Sequence, residues 1–227
     1  MDKYIESLKA EKFEAFYQLL QKGNEICNLT TIVDREQAFI KHFLDSILPE
    51  KYFNEGANCI EIGSGAGFPS IPLMLYREDL KFTLVESIQK KVNFLKLAVE
   101  KLQLNGIVLQ NRAEILAQNG EYREKFDIVT ARAVAKMVTL VEYCLPFIKI
   151  GGKMIAYKGN VEEELKEADY AICCLGGKII EQIEYSLPKD MGNRSVVIIE
   201  KIKNTPPQYP RGKGKERSKP LMEKESK

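Results

Sequence analysis

The chain has 227 residues, 44% hydrophobic and 29% charged, with a formal net charge of +2. That is an ordinary globular composition, long enough for one large domain or one domain with appendages. No run of 18 apolar residues is present, which excludes a membrane-spanning helix, and the charged N-terminus MDKYIESLKAEKFEAF lacks the apolar stretch of a signal peptide, so a cytoplasmic protein is expected.

One histidine, His42, excludes metal sites built on several histidines. Five cysteines without a C-x-x-C pair fit a reducing compartment better than a disulfide framework or zinc site. The small net charge hides an asymmetry. Residues 203–227 carry eight Lys/Arg against three Glu, whereas the other 202 residues hold 26 basic and 29 acidic groups. A basic tail on a mildly acidic body points either to a polyanionic partner or to a solvated tail that aids solubility.

Along the chain, Ile5, Leu8, Phe13, Phe16 and Leu19/Leu20 recur at helical spacing and predict a helix over residues 3–25. Asp34, with Gln37 three residues on, reads as a capping box opening a second helix over 35–48. Residues 1–50 are thus a predicted helical N-terminal extension. The pattern then changes. Strands are predicted at 58–62, 81–85, 107–110, 126–130 and 153–157. Helices are predicted at 87–104, with Ser87 as N-cap, at 135–147 and at 161–173, and Gly151-Gly152 is read as a turn into the fifth strand. Strands at 178–185 and 195–201 read as a closing antiparallel pair. Alternating strands and helices imply a mostly parallel sheet over residues 51–202, with an antiparallel edge. Residues 203–227, rich in Pro, Gly and Lys, predict a mostly irregular tail.

The strongest chemical signal is EIGSGAGFPS, Glu61 to Ser70, between a predicted strand and a predicted helix. Its glycines, Gly63-x-Gly65-x-Gly67, let the backbone turn sharply and approach a ligand. Phe68 occupies the last glycine position of the dinucleotide fingerprint, and no Lys-Ser/Thr follows as in a phosphate-binding P-loop. A nucleoside ligand without phosphates, S-adenosylmethionine, fits this pattern better than a nicotinamide dinucleotide. Glu86 lies 23 residues after Gly63, where a carboxylate accepts from both ribose hydroxyls, or favours a helix N-terminus through its dipole. Arg112-Ala113-Glu114 follows the third strand and serves either the adenine edge or a helix cap.

The chain resembles the bacterial 16S ribosomal RNA guanine-N7 methyltransferase family, also called glucose-inhibited division protein B. The resemblance rests on NLTTI (28–32) with HFLDS (42–46), EIGSGAGFPSIPL (61–73), SIQKKVNFL (87–95), NRAE (111–114), FDIVTARAV (126–134), GGKMIAYKG (151–159), and YPR with KPL in the tail. It implies a Rossmann-like class I fold, with cofactor contacts at Gly63, Phe68, Ala113, Glu114 and Arg132; Gly65 and Glu86 are added from the loop itself. It also implies methylation of guanine N7 in the 530 loop of 16S rRNA, presented alone or in a small ribosomal subunit particle. Ser70 departs from the family's usual glycine and Lys91 from its usual arginine, and the tail GKGKERSKPL lacks the usual proline after its second glycine.

Guanine N7 carries an in-plane lone pair and needs no base to remove a proton, so positioning dominates the expected mechanism. The sequence lacks an Asp/Asn-Pro-Pro-aromatic string and a Pro-Cys nucleophile, as that chemistry predicts. Arg132, the candidate catalytic residue, holds the cofactor or donates to guanine O6, against a reading as a surface arginine. His42, Lys90, Lys91, Lys158, Arg194 and Arg211 are candidate RNA contacts, each weighed against a solvated or structural role. Phe68 and Tyr157 either stack a base or belong to the core. A monomer is expected, and loss of the basic tail is expected to weaken RNA binding while sparing cofactor binding. The competing readings are a small-molecule methyltransferase and a non-catalytic RNA-binding module.

Overall fold

The helix predicted over 3–25 forms as two, α1 (Asp2–Ser7) and α2 (Glu11–Ile26), because Ala10 leaves helical geometry at φ −63°, ψ 139°. Asp34 does cap the next segment: its carboxylate accepts from the Gln37 N–H at 2.8 Å and opens α3 (Arg35–Ala38). That helix does not run on as regular α. Residues Phe39–Leu44 form a π-helical stretch before α4 (Asp45–Ile47), and such stretches accompany functional positions. In this computed structural model, which describes residues 1–223, these helices belong to a first unit made of residues 1–111 and 186–193.

The same unit holds β1 (Asn58–Ile62), α5 (Ser70–Tyr76), β2 (Lys81–Glu86), α6 (Gln89–Lys101) and β3 (Gly106–Gln110). β1 pairs with β2, and β2 with β3, all parallel. Every residue of α5 from Ser70 to Leu75 is buried, so it lacks the amphipathic stripe that marks a helix in sequence. Ser87 is not the cap of α6, as expected; that helix starts at Gln89. The Ser87 and Ile88 N–H groups instead donate to the Glu86 carboxylate at 2.7 and 2.9 Å. The N-terminal helices bury Phe13, Phe16, Leu20 and Phe43 at 2% exposure or less, each side chain contributing roughly 2 kcal/mol by leaving water.

The second unit runs over residues 112–185 and from 194 onward. It contains α7 (Ala113–Leu116), β4 (Phe126–Arg132), α8 (Met137–Cys144), β5 (Ile148–Lys158), α9 (Glu162–Cys174), α10 (Lys215–Ser218) and, apart from the end residues Ser186 and Asn193, β6 (Gly177–Ser186) and β7 (Asn193–Lys201). β4 pairs parallel with β5, and β5 antiparallel with β7, beyond which lies β6. The seven strands thus form the mixed α/β sheet expected: mostly parallel, with an antiparallel edge.

Gly151-Gly152 does not turn into the strand. It is a bulge inside β5, where the register with β4 jumps from Phe126↔Ile148 to Ile128↔Lys153. Gly151 has φ +81°, and a Cβ on Gly152 would meet the Asp127 carbonyl at 2.6 Å, so both positions need glycine.

The described part of the tail is largely irregular, but it is not a free solvated segment. From Ile202 to Glu223 it lies as a strap on its unit, with Thr205, Pro210, Glu216 and Leu221 buried. Residues 224–227, which hold two of its basic groups, lie outside the described residues.

Candidate active site

The glycine loop folds against the end of β2. Gly63 and Ser64 donate their N–H groups to the Val85 carbonyl at 2.9 and 3.0 Å, closing the loop over the strand. Gly63, Gly65 and Gly67 all adopt left-handed backbone, at φ +68°, +57° and +86°, which explains the glycine at each. Their surroundings differ. A Cβ on Gly67 would lie 2.7 Å from Ile71 Cγ1 and 3.2 Å from Leu95 Cδ2, whereas one on Gly65 would meet nothing closer than 3.8 Å. Gly67 is required by packing as well as backbone, whereas Gly65 is required by its backbone alone and borders open space.

Glu86, 6% exposed, organises this space. Its Oε2 accepts from the Gly65 N–H at 3.0 Å, and its Oε1 from the Ser87 and Ile88 N–H groups. A carboxylate offers about four acceptor positions, so three backbone donors leave roughly one, on Oε2. The carboxylate expected to accept from both ribose hydroxyls thus spends most of its acceptor capacity on backbone and keeps one position beside Gly65. Glu61, fully buried on β1, accepts from the Ser70 hydroxyl at 2.5 Å. The serine that departs from the family pattern thus replaces a glycine with a hydrogen bond to the loop's leading acid.

His42 and Phe68 come together in a way the sequence did not announce. Their rings stack at 4.4 Å and 23°, and His42 Nε2 lies 2.8 Å from the Thr30 hydroxyl, which also accepts from the Ile32 N–H at 3.0 Å. The NLT and HxxDS strings are thus two sides of one contact, which backs Phe68 and so the glycine loop. His42 is 8% and Phe68 7% exposed, and Phe68 also packs on Phe16 and Phe43. The structure gives both rings a packing role. Lys90 is exposed at the start of α6 and Lys91 half-buried.

In the second unit, Ala113 and Glu114 open α7. The Glu114 side chain is 12% exposed, with the Arg112 guanidinium 3.6 Å away. Arg132 is the last residue of β4 and is paired in register with Tyr157, which at 3% exposure belongs to the core. Ala133, next in chain, has φ +55°, a costly conformation for a residue with a Cβ, and one that no sequence signal marks. Lys158 ends β5 opposite Ser195 of β7, with Arg194 one residue beyond. Arg132, Lys158 and Arg194 therefore stand at one end of three neighbouring strands, which parallel-sheet proteins use for ligands.

These cations are not equivalent. Lys158 donates to the Ala135 carbonyl and to Glu164 Oε2, each at 2.7 Å, and that oxygen also accepts from the Met137 N–H at 2.9 Å. Burial opposes ionisation of Glu164, but the Lys158 and Met137 hydrogen bonds outweigh it and hold its pKa below the usual carboxylate range. Glu164, hidden in an acidic run, went unnoticed in the sequence. Arg211 is committed as well: Nε and Nη2 donate to the two oxygens of fully buried Glu142 at 2.9 and 2.7 Å, and its N–H donates to Oε1 at 2.9 Å. Among the described residues, no cluster of acidic, histidine and cysteine side chains could hold a metal, and no helix is long and apolar enough to cross a membrane.

A family model described as rRNA small subunit methyltransferase G matches residues 9–190. The ribosomal RNA small subunit methyltransferase G of Staphylococcus aureus (strain JH9) is 45% identical over 218 residues, covering 94% of this chain and 91% of its own. That of Lactobacillus delbrueckii subsp. bulgaricus (strain ATCC BAA-365 / Lb-18) is 43% identical over 223 residues, covering 96% and 93%. Among solved structures, the O-methyltransferase from Bacillus cereus in complex with SAH superposes with a TM-score of 0.59 over 83% of this chain and 91% of that one; at 17% identity it attests the fold.

Proposed function

Because this chain belongs to the rRNA small subunit methyltransferase G family, we propose that it methylates N7 of a guanine in the 530 loop of 16S rRNA. It is an S-adenosylmethionine-dependent methyltransferase of small-subunit rRNA with a Rossmann-like class I fold. The observation that supports the reading is the glycine loop whose Gly65 N–H donates to Glu86 Oε2, with nothing closer than 3.8 Å to where a Gly65 Cβ would stand.

The bound cofactor supplies an electrophilic methyl group on a sulfonium. Guanine N7 presents its lone pair unprotonated at neutral pH, so the protein has no proton to remove and works by orientation. In this reading Glu86 accepts from a ribose hydroxyl, and Ala113 with Glu114 meets the adenine edge. Phe68, braced by His42, shapes the loop from behind. Arg132 donates to guanine O6 or a phosphate; a donor on N7 itself would occupy the attacking lone pair. Lys90, Lys91 and Arg194 meet RNA phosphates, while Lys158, tied to Glu164, fixes the strand end beside them.

The test is methyl transfer from labelled S-adenosylmethionine to unmodified small-subunit particles, with the product nucleoside identified by mass spectrometry. N7-methylguanosine at a single position is expected. Label on another base atom would overturn the N7 assignment. Cofactor binding without label on any ribosomal RNA would favour a small-molecule substrate.

A further inference from the structure

The helix α7 has four residues, too few to hold itself in helical form without tertiary support. Part of that support is Leu116 and Ala117, which are buried. A further part comes from Arg123. Its Nη1 donates to the Ala117 carbonyl, the C-cap of α7, at 3.2 Å, and to the Tyr209 carbonyl at 2.8 Å. Its Nη2 donates to the Thr205 and Pro206 carbonyls at 2.8 and 3.2 Å. Five residues before it, the Gln118 amide donates to the Pro210 carbonyl at 2.8 Å.

Four hydrogen bonds from one half-buried guanidinium to backbone carbonyls make a bracket. One side is the end of α7; the other is the proline-rich start of the strap. Pro206, Pro207 and Pro210 lack N–H groups, so this segment cannot join a sheet ladder, and its carbonyls need donors from side chains. A guanidinium, with five donors in a rigid fork, suits several carbonyls at once; a lysine reaches fewer at fixed geometry.

We propose that Arg123 is a positioning residue for the cofactor, and that the strap acts through it to hold α7 where Ala113 and Glu114 meet the adenine. This rests on the adenine assignment given above. It reverses the expectation that losing the tail spares cofactor binding: the strap's backbone serves the cofactor side, and only its exposed lysines remain for RNA.

The test measures S-adenosylmethionine affinity by calorimetry on the full chain carrying Arg123→Ala, Arg123→Lys, Gln118→Ala or Glu114→Ala, with steady-state methylation of small-subunit particles alongside. Arg123→Ala is expected to weaken cofactor affinity about tenfold, from loss of several charge-assisted hydrogen bonds. Arg123→Lys recovers part of that, and Gln118→Ala gives a smaller loss in the same direction. KM for the cofactor rises more than kcat falls, and KM for the particles stays put. Unchanged affinity in Arg123→Ala beside a loss in Glu114→Ala overturns the bracket alone. Unchanged affinity in both overturns the adenine assignment and the bracket with it. If Arg123→Ala fails to fold, Gln118→Ala decides: weaker cofactor binding supports the bracket, and unchanged binding removes it.

Discussion

The glycine loop and the C-terminal strap are both irregular, glycine-containing segments flanked by charge, yet they are held by opposite means. The loop is closed by near neighbours on one strand end: the Val85 carbonyl and the Glu86 carboxylate take its amides. The strap is held by side chains many residues away, namely Arg123, Gln118, Thr139 and Glu142. A locally closed loop announces itself through glycine spacing and a following acid. A remotely anchored strap does not, because each of its partners reads as an ordinary helix or loop residue.

The largest expected effect separates these two logics at Arg211. As a phosphate contact on a free tail, Arg211→Ala would leave stability untouched and lower RNA affinity. As the partner of fully buried Glu142, its loss strands a carboxylate without its countercharge, and we expect destabilisation of about 4 kcal/mol in urea unfolding. A change below about 0.5 kcal/mol would return Arg211 to the surface.

Next in size is Lys201, fully buried where the strap begins, donating to the Leu145 carbonyl at 2.6 Å and the Thr205 hydroxyl at 2.5 Å. Burial brings its pKa down from 10.5 to about 8, against the opposing pull of Glu124 3.4 Å away; Arg123 lowers it further. The folded state therefore binds this proton more weakly than the unfolded chain. Below pH 8 both states hold the proton and the penalty is constant. Between pH 8 and about 10.5 the folded state releases it first, so stability rises with pH from this group. The stability of the wild type relative to Lys201→Met should grow by roughly 3 kcal/mol across that window, read from denaturation midpoints at each pH. A flat difference would mean that Lys201 titrates normally.

How much the sequence disclosed follows the same divide. The strands of the parallel sheet, the glycine loop and Glu86 were legible because period, turn chemistry and spacing are local. The pairing of His42 with Phe68, the commitment of Arg211 to Glu142 and of Lys158 to Glu164, and the left-handed Ala133 were not, since each depends on which distant element packs nearby. The bulge at Gly151-Gly152 reads as a turn in the sequence for a related reason: two glycines signal special backbone without saying whether pairing continues through them.

Within the loop, the two glycines offer a finer contrast. Gly67→Ala meets both a left-handed φ and overlap with Ile71 and Leu95, for an expected cost of about 2–3 kcal/mol. Gly65→Ala meets only the backbone term, about 1 kcal/mol, but places a methyl group in the space assigned to the cofactor. Thermal unfolding should rank Gly67→Ala as the more damaged, and cofactor titration should rank Gly65→Ala as the weaker binder relative to its stability. The same order in both assays would mean that the open space above Gly65 is not the cofactor's.

The smallest effect belongs to Lys90, exposed at the start of α6 and the counterexample to Arg211 among the predicted RNA contacts. No ion pair holds it among the described residues, so Lys90→Ala should leave folding within about 0.5 kcal/mol of the wild type. If it meets a phosphate, RNA affinity falls a few-fold at low salt, and the slope of log affinity against log salt becomes shallower by about 1, since one fewer counterion is released. An unchanged slope would make Lys90 a solvated charge. The phosphate-binding role would then fall to Lys91, Arg194 and the exposed lysines of the strap, the segment whose backbone is already engaged elsewhere.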